Sequence, residues 1–223
     1  MITSRDNERL KLVRKLAQRS WRDKLGLFVV EGEDLVDAAA GLEPVELLVA
    51  GETVEPELLA EVSSLAHPPR VVAVYRREDL PRGRRATTLA LWRVADPGNI
   101  GTLIRAADAF GAGIALSAGC SDPTGPKALR ASTGSVFRVP VAAFDEPEGR
   151  RVALVAHGGE PLDAVDLSGD VVFVLGAERE GIPDDVLARC DVAATIPTAG
   201  GAESLNVAMA GTVALYERAR RGR

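Results

Sequence analysis

Histidine, cysteine and aromatic side chains are scarce in this 223-residue chain: two histidines (His67, His157), two cysteines (Cys120, Cys190) and 4% Phe, Trp and Tyr. Zinc sites and disulfide frameworks need clustered ligands or paired thiols. With no CxxC spacing and no histidine beside either cysteine, neither is expected, no metal is expected to be required, and both cysteines are expected to be reduced thiols. The chain also lacks any run of 18 apolar residues able to span a bilayer. Its opening stretch MITSRDNERLKLVRKL has no apolar core of a secretory signal. The expectation is therefore a cytoplasmic protein with no membrane partner. A GxGxxG fingerprint is absent as well, so a nucleotide-dependent oxidoreductase is suggested only by strand and helix alternation.

Lys and Arg are missing from Leu25 to Pro69, where ten acidic residues lie between Glu31 and Glu61. The net charge of −5 argues against a polyanionic partner, because such binding depends on neutralising phosphates. Positive charge is nevertheless segregated. Residues 1 to 24 hold eight basic side chains (Arg5, Arg9, Lys11, Arg14, Lys15, Arg19, Arg22, Lys24) against Asp6, Glu8 and Asp23, and more arginines follow at 70 to 85 and 218 to 223. Clusters of this kind can build a local positive surface on an acidic protein, or can simply be solvated helix faces.

What is present is the composition of a globular chain, 46% apolar and 26% charged. Leu10, Val13, Leu16 and Ala17 fall at helical spacing within a basic amphipathic helix over 8 to 19. LGLFVVEGEDLVDAAAGL reads as a strand, a break at Gly32 and a helix; VELLVAG, a helix from Pro56 to Leu65 and RVVAVY complete a small α/β unit over 1–80. PRGRRATT (81–88) reads as a linker. Beyond it the alternation is regular: strand 89 to 94, helix Thr102 to Phe110, strand 114 to 117, helix Pro126 to Ser132, strand VFRVPV, strands 152 to 156, 171 to 175 and 192 to 196, and a helix from Ser204 to about Arg220. Apolar strands alternating with helices predict an α/β fold whose C-terminal parallel sheet carries helices on both faces over 89–223.

In such sheets ligands sit beyond the carboxyl ends of the strands, which directs attention to the loops after 94, 175 and 196. In ADPGNIGTLIRAADAFGA (95–112), Asp96 to Asn99 read as a turn, Thr102 as a helix cap, and Arg105 and Asp108 as partners across the helix surface. In VFVLGAEREGIP (172–183), Gly176 would let a ligand approach the backbone and Glu178 could accept hydrogen bonds. In PTAGGAESLNVAMAGTVALYE (197–217), Ser204 stands where an N-cap belongs, and Ala208, Ala210, Gly211 and Ala214 leave room for close backbone packing.

Together the three loops resemble the signature motifs of the SPOUT methyltransferases, in the SpoU/TrmH branch of RNA ribose 2′-O-methyltransferases. Asn99, Gly101 and Arg105 match NxGxxxR; Gly176, Glu178 and Gly181 match GxExxG; Ile196, Pro197, Gly200, Ser204, Leu205 and Asn206 match IPMxGxxxSLN. RASTGSVFRVPV (130–141) is similar to a further family segment, and FVVEGEDLVDAA to the family's ribosomal-protein-L30e-like substrate-binding domain. Thr198 replaces a common Met and Ala208 a common Ser.

The resemblance implies a deep trefoil knot in the C-terminal domain and S-adenosyl-L-methionine as cofactor, held in a bent conformation at Leu175, Gly176, Ile196, Gly200 and Leu205. It implies transfer of a methyl group to a ribose 2′-hydroxyl, with ribosomal RNA expected as substrate; transfer RNA, and a noncatalytic RNA-binding module, are the alternatives. Arg105 is the implied central catalytic group, oriented with the ribose by Asn99, Glu178, Ser204 and Asn206. Arg130 is implied in phosphate contact. The acidic 31 to 61 stretch shifts the expected RNA contacts to Arg9, Lys11 and Arg14 and to the linker arginines. A homodimer through helices of the C-terminal domain is implied, which the small-residue face after Asn206 would permit.

Overall fold

In the computed structural model, which describes residues 1–177, 179–200 and 203–222, the basic N-terminal stretch breaks into two helices. Helix α1 (Glu8–Leu16) is capped by Asn7, whose side chain accepts from the Arg9 backbone N–H. Gln18 then adopts an extended backbone, so α2 (Arg19–Leu25) starts anew and stops at Gly26 in the left-handed region. Ala17 lies past the end of α1 and is exposed, while Leu10, Val13 and Leu16 are buried.

Strand β1 (Leu27–Glu31), helix α3 (Glu33–Ala38), β2 (Glu46–Val49), α4 (Pro56–Val62) and β3 (Val71–Arg76) follow. The strands form an antiparallel sheet ordered β1-β3-β2. Alternation along β1 and β3 divides their side chains between two cores. Val29, Val72 and Val74 pack with Leu10, Val13, Leu58 and Leu59, whereas Phe28, Val30, Ala73 and Tyr75 face the rest of the chain and join its main core.

The second sheet is parallel throughout: β4 (Thr87–Leu91), β5 (Gly113–Leu116), β6 (Val141–Ala143), β7 (Arg150–Leu154), β8 (Glu160–Pro161), β9 (Val171–Leu175) and β10 (Val192–Thr195), in the order β6-β5-β4-β9-β7-β10-β8. Helices α5 (Pro97–Ala109), α6 (Pro126–Ser132), α7 (Asp184–Leu187) and α8 (Val207–Arg221) cover it. Leu89, Leu91, Phe173 and Leu175 meet Ile100, Leu103, Ile104 and Ala214 on one face; Ala90, Ala115, Val172 and Val174 meet Phe144 and Val186 on the other. The chain builds β4, β5 and β6 outward in one direction, then crosses to the other side for β7. After β10 it returns to the centre, where α8 packs on α5 and β9.

Several boundaries differ from the sequence expectation, among them β4, which starts at Thr87 within the expected 81–88 linker and ends at Leu91. A single 3-10 turn, Ser135–Phe137, takes up the start of VFRVPV (136–141), and the strand starts only at Val141. Helix α5 begins at Pro97, five residues before Thr102, because Asp96 accepts from the Asn99 backbone N–H and Pro97 pre-sets the first helical φ. The small residues of α8 also turn inward: Ala208, Gly211 and Ala214 are buried, and a Cβ on Gly211 would meet Leu103 Cδ2 at 2.5 Å. They serve packing within the chain rather than a surface.

The two sheets share a buried junction. Arg22 and Arg77 both donate to Asp122 Oδ2, each at 2.7 Å, while the other carboxyl oxygen accepts from the Thr124 hydroxyl at 2.7 Å. Burial works to raise the Asp122 pKa, but the Thr124 and Arg22 hydrogen bonds and the Arg77 charge hold it below the ordinary carboxylate value. Phe137 also contacts Phe28 and Tyr75 of the first sheet, with ring centroids 6.4 and 6.2 Å away.

Candidate active site

A cavity of about 400 Å³ opens beyond the carboxyl ends of β7, β9 and β10. Leu175 and Gly176 leave β9 into it, Ile196 follows β10, and Ser204, Leu205 and Asn206 close it at the start of α8. These six positions come from two motif loops, and Leu175, Ile196 and Leu205 form an apolar wall. A concave, mostly apolar site of this volume suits a drug-sized organic cofactor. Gly200 is exposed and does not line it. Glu178 lies outside the described residues.

Gly176 is required by the turn itself. A Cβ there would lie 2.1 Å from the Gly181 carbonyl, and Gly181 N donates to Ala177 O at 2.9 Å. Gly101 is likewise a packing residue: its Cβ would meet Ala128 O at 2.4 Å, where α5 and α6 cross.

Ser204 does not cap α8. That role belongs to Asn206, whose Oδ1 accepts from Ala208 N at 2.9 Å. The helix thus starts three residues later than the sequence suggested, and Ser204 keeps an exposed hydroxyl with no hydrogen bond among the described residues. The Asn206 amide also donates to Asn99 Oδ1 at 3.3 Å, tying the first motif to the third. The Asn99 N–H and the Lys127 ammonium, 3.1 Å away, hold the Asp96 carboxyl below its ordinary pKa.

Arg105 stands apart from the cavity lining, six residues or about 9 Å along α5 from Asn99. It does not pair with Asp108. Arg138 takes that carboxylate with two donors, at 2.9 and 2.6 Å, because it reaches across from the neighbouring segment with both nitrogens. Burial opposes ionisation of Asp108, yet the Arg138 and Ser135 hydrogen bonds keep its pKa low. Arg105 is left exposed, with no hydrogen bond or ion pair among the described residues.

The other expected RNA contacts are placed as follows. Arg130 on α6 is exposed and donates to Ser64 Oγ at 3.1 Å. Arg9 bonds Glu46 through Nε and the Leu47 carbonyl through Nη2; Lys11 pairs with Glu8 at 2.9 Å; Arg14 donates to Arg5 O at 2.8 Å. Sequence reasoning missed the loop after β7, where Val155, Ala156 and His157 form one wall of the cavity. The carboxyl-end rule would have found them had it been applied to VALVA as well. Thr198 lines the cavity, and Ala208 is buried in the first turn of α8. Among the described residues no helix is long and apolar enough to cross a membrane, and no group of His, Cys, Asp and Glu is arranged to hold a metal ion.

A parallel α/β domain, with carboxyl-end loops folded round a cavity sized for an organic cofactor, is thus joined to a small antiparallel unit. The chain belongs to the SpoU rRNA methylase family, whose profile matches residues 86–216; that of the MRM3-like substrate binding domain matches residues 7–78. Over 241 residues it is 32% identical to the 23S rRNA (guanosine(2553)-2'-O)-methyltransferase RlmP of Bacillus subtilis, covering 96% of this chain and 97% of that protein. Among solved structures it is similar to the SpoU methyltransferase AviRb from Streptomyces viridochromogenes in complex with AdoMet, with a TM-score of 0.83, 30% identity and 97% and 98% of the two chains covered. It is also similar to an AdoMet-bound rRNA methyltransferase from Sinorhizobium meliloti, with a TM-score of 0.87, 32% identity and coverage of 99% and 97%.

Proposed function

We propose that this chain transfers a methyl group from S-adenosyl-L-methionine to a ribose 2′-hydroxyl of ribosomal RNA, with Arg105 as the central catalytic group. The observation that carries this is the cavity beyond β7, β9 and β10, lined from the second and third motifs and tied to the first by the Asn206–Asn99 hydrogen bond. The named activity of RlmP and the AdoMet-bound relatives support the cofactor and the RNA class. Leu175, Gly176, Ile196 and Leu205 would hold the cofactor, with Gly200 in the loop beside them; it supplies a methyl already activated by the sulfonium charge.

A ribose hydroxyl is a weak nucleophile at neutral pH, so the chain must favour the developing alkoxide. The permanently charged Arg105 guanidinium suits electrostatic stabilisation and phosphate positioning better than proton abstraction. Asn99, Glu178, Ser204 and Asn206 would orient it and the ribose. The unit of residues 1–80 would bind the RNA, with 81–88 as connector and 89–223 as the transfer domain, all acting in the cytoplasm. Arg130, Lys11 and Arg14 would contact phosphate, and Arg9 would help to place that surface. A second copy would pack against α8, whose Met209, Val213 and Tyr216 form one exposed apolar stripe.

The test is incubation with radiolabelled cofactor and undermethylated total RNA, with Arg105→Ala in parallel. Label in ribosomal RNA that resists alkali and vanishes in the variant is expected. Alkali-sensitive label, or label confined to transfer RNA, would overturn the assignment.

A further inference from the structure

We propose that Arg93 is a phosphate contact for the RNA strand that presents its ribose to the transfer site, and that RNA takes this guanidinium from Glu180. The inference rests on the function proposed above. Arg93 follows β4 by two residues and precedes Asp96, the cap of α5. Leu91 is paired with Leu175, and Trp92 N donates to Leu175 O at 2.7 Å, so Arg93 stands beside the point where Gly176 leaves β9 for the cofactor cavity.

Its backbone is left-handed, with φ of 53°. Only one other non-glycine among the described residues shares this, Thr133, and that residue ends α6, where a left-handed residue is ordinary. Arg93 ends no helix. Glycine would adopt the conformation without a steric penalty, so the arginine is a side chain kept where the backbone disfavours one. Such outliers concentrate at functional sites.

The protein itself makes little use of the side chain. Its stem lies over Gly119, where a Cβ would meet Arg93 Cγ at 3.4 Å. The head group approaches Glu180, in the turn after β9, at 3.7 Å with both side chains well exposed, and makes no hydrogen bond among the described residues. A loose exposed pair contributes little to stability and is readily exchanged. Arg19 of α2, which also pairs with Asp23, donates to Cys120 O at 2.9 Å beside Gly119, so a second guanidinium from the N-terminal unit stands near the same loop. A ribose delivered to the cavity carries a phosphate on each side. A guanidinium at the shared rim of the β4 and β9 loops offers that phosphate a planar, two-point donor.

Arg93→Gly and Arg93→Lys separate the roles, since glycine relieves the backbone while removing the charge and lysine does the reverse. For Arg93→Gly we expect an unchanged or higher Tm, an RNA KM raised about tenfold, an unchanged cofactor KM, and a log–log salt slope of RNA binding shallower by about 1. Arg93→Lys should recover the salt slope, and Glu180→Gln should tighten RNA binding. Wild-type RNA affinity and slope in Arg93→Gly would overturn the proposal, as would a lowered Tm with cofactor and RNA KM rising together. Direct RNA binding is read in every variant, so a wild-type chain that binds RNA without methylating it counts against the enzymatic function and leaves the Arg93 contrast readable.

Discussion

At the junction of the two sheets Arg22 is 5% exposed, bonded to Asp122 and to the carbonyls of Leu16 and Ala17. On α5 Arg105 is exposed and bonded to nothing among the described residues. The first guanidinium is used up by the fold and the second is left available. The difference lies in the surroundings: a buried arginine must find every partner within the protein, since unmatched donors there are costly, whereas an exposed one is satisfied by water until an anionic substrate displaces it. Asp108 shows how that availability arises, because Arg138 rather than Arg105 occupies it.

The comparison breaks most severely at Asp122. Asp122→Ala leaves the buried Arg22 without its carboxylate, while Arg77 keeps Asp23 and Thr124, and should lower unfolding free energy by about 3–5 kcal/mol in urea titration. The same carboxyl sets an acid limit. Its folded pKa lies below the unfolded value of 3.8, so its contribution is complete above that value and is lost as pH falls further. Wild type should lose stability below about pH 4 more steeply than Asp122→Asn, as measured by unfolding at stepped pH.

Arg105→Ala should do the opposite, lowering kcat about 10²–10³-fold in single-turnover methylation while shifting Tm by no more than about 1 °C. A drop in Tm comparable to that of Asp122→Ala would erase the contrast. Gly101→Ala should cost about 1–3 kcal/mol by forcing α5 from α6, and should reduce activity only as far as it displaces Asn99. The smallest effect is expected from Lys11→Gln with Arg14→Gln, the first half-buried and the second exposed. RNA binding should weaken with a salt slope shallower by about 2, and thermal stability should hold within about 0.5 kcal/mol. An unchanged slope would assign α1 to structure alone.

Much of this was legible in the chain. The run VVFVL spans β9 residue for residue, and the spacing of Leu10, Val13 and Leu16 marks the buried side of α1. Local chemistry also explains what was misplaced: Asp96 and Asn206 are both good N-caps, but Thr102 and Ser204 are equally eligible by residue type, and only the backbone course selects between them. The brief α2, α7 and β8 carry too few residues for a periodic signal.

The sequence by itself determined the alternation of apolar strands and helices, the three motif loops and the residues proposed for transfer chemistry, because these depend on neighbours within a few positions. Tertiary structure alone decided that Asp122 would join Arg22 and Arg77 across about 100 and 45 residues, that Asn206 would meet Asn99, that His157 would wall the cavity, and that Asp108 would leave Arg105 free. Such pairings follow from the order in which strands are laid into the sheet, and that order has no local signature.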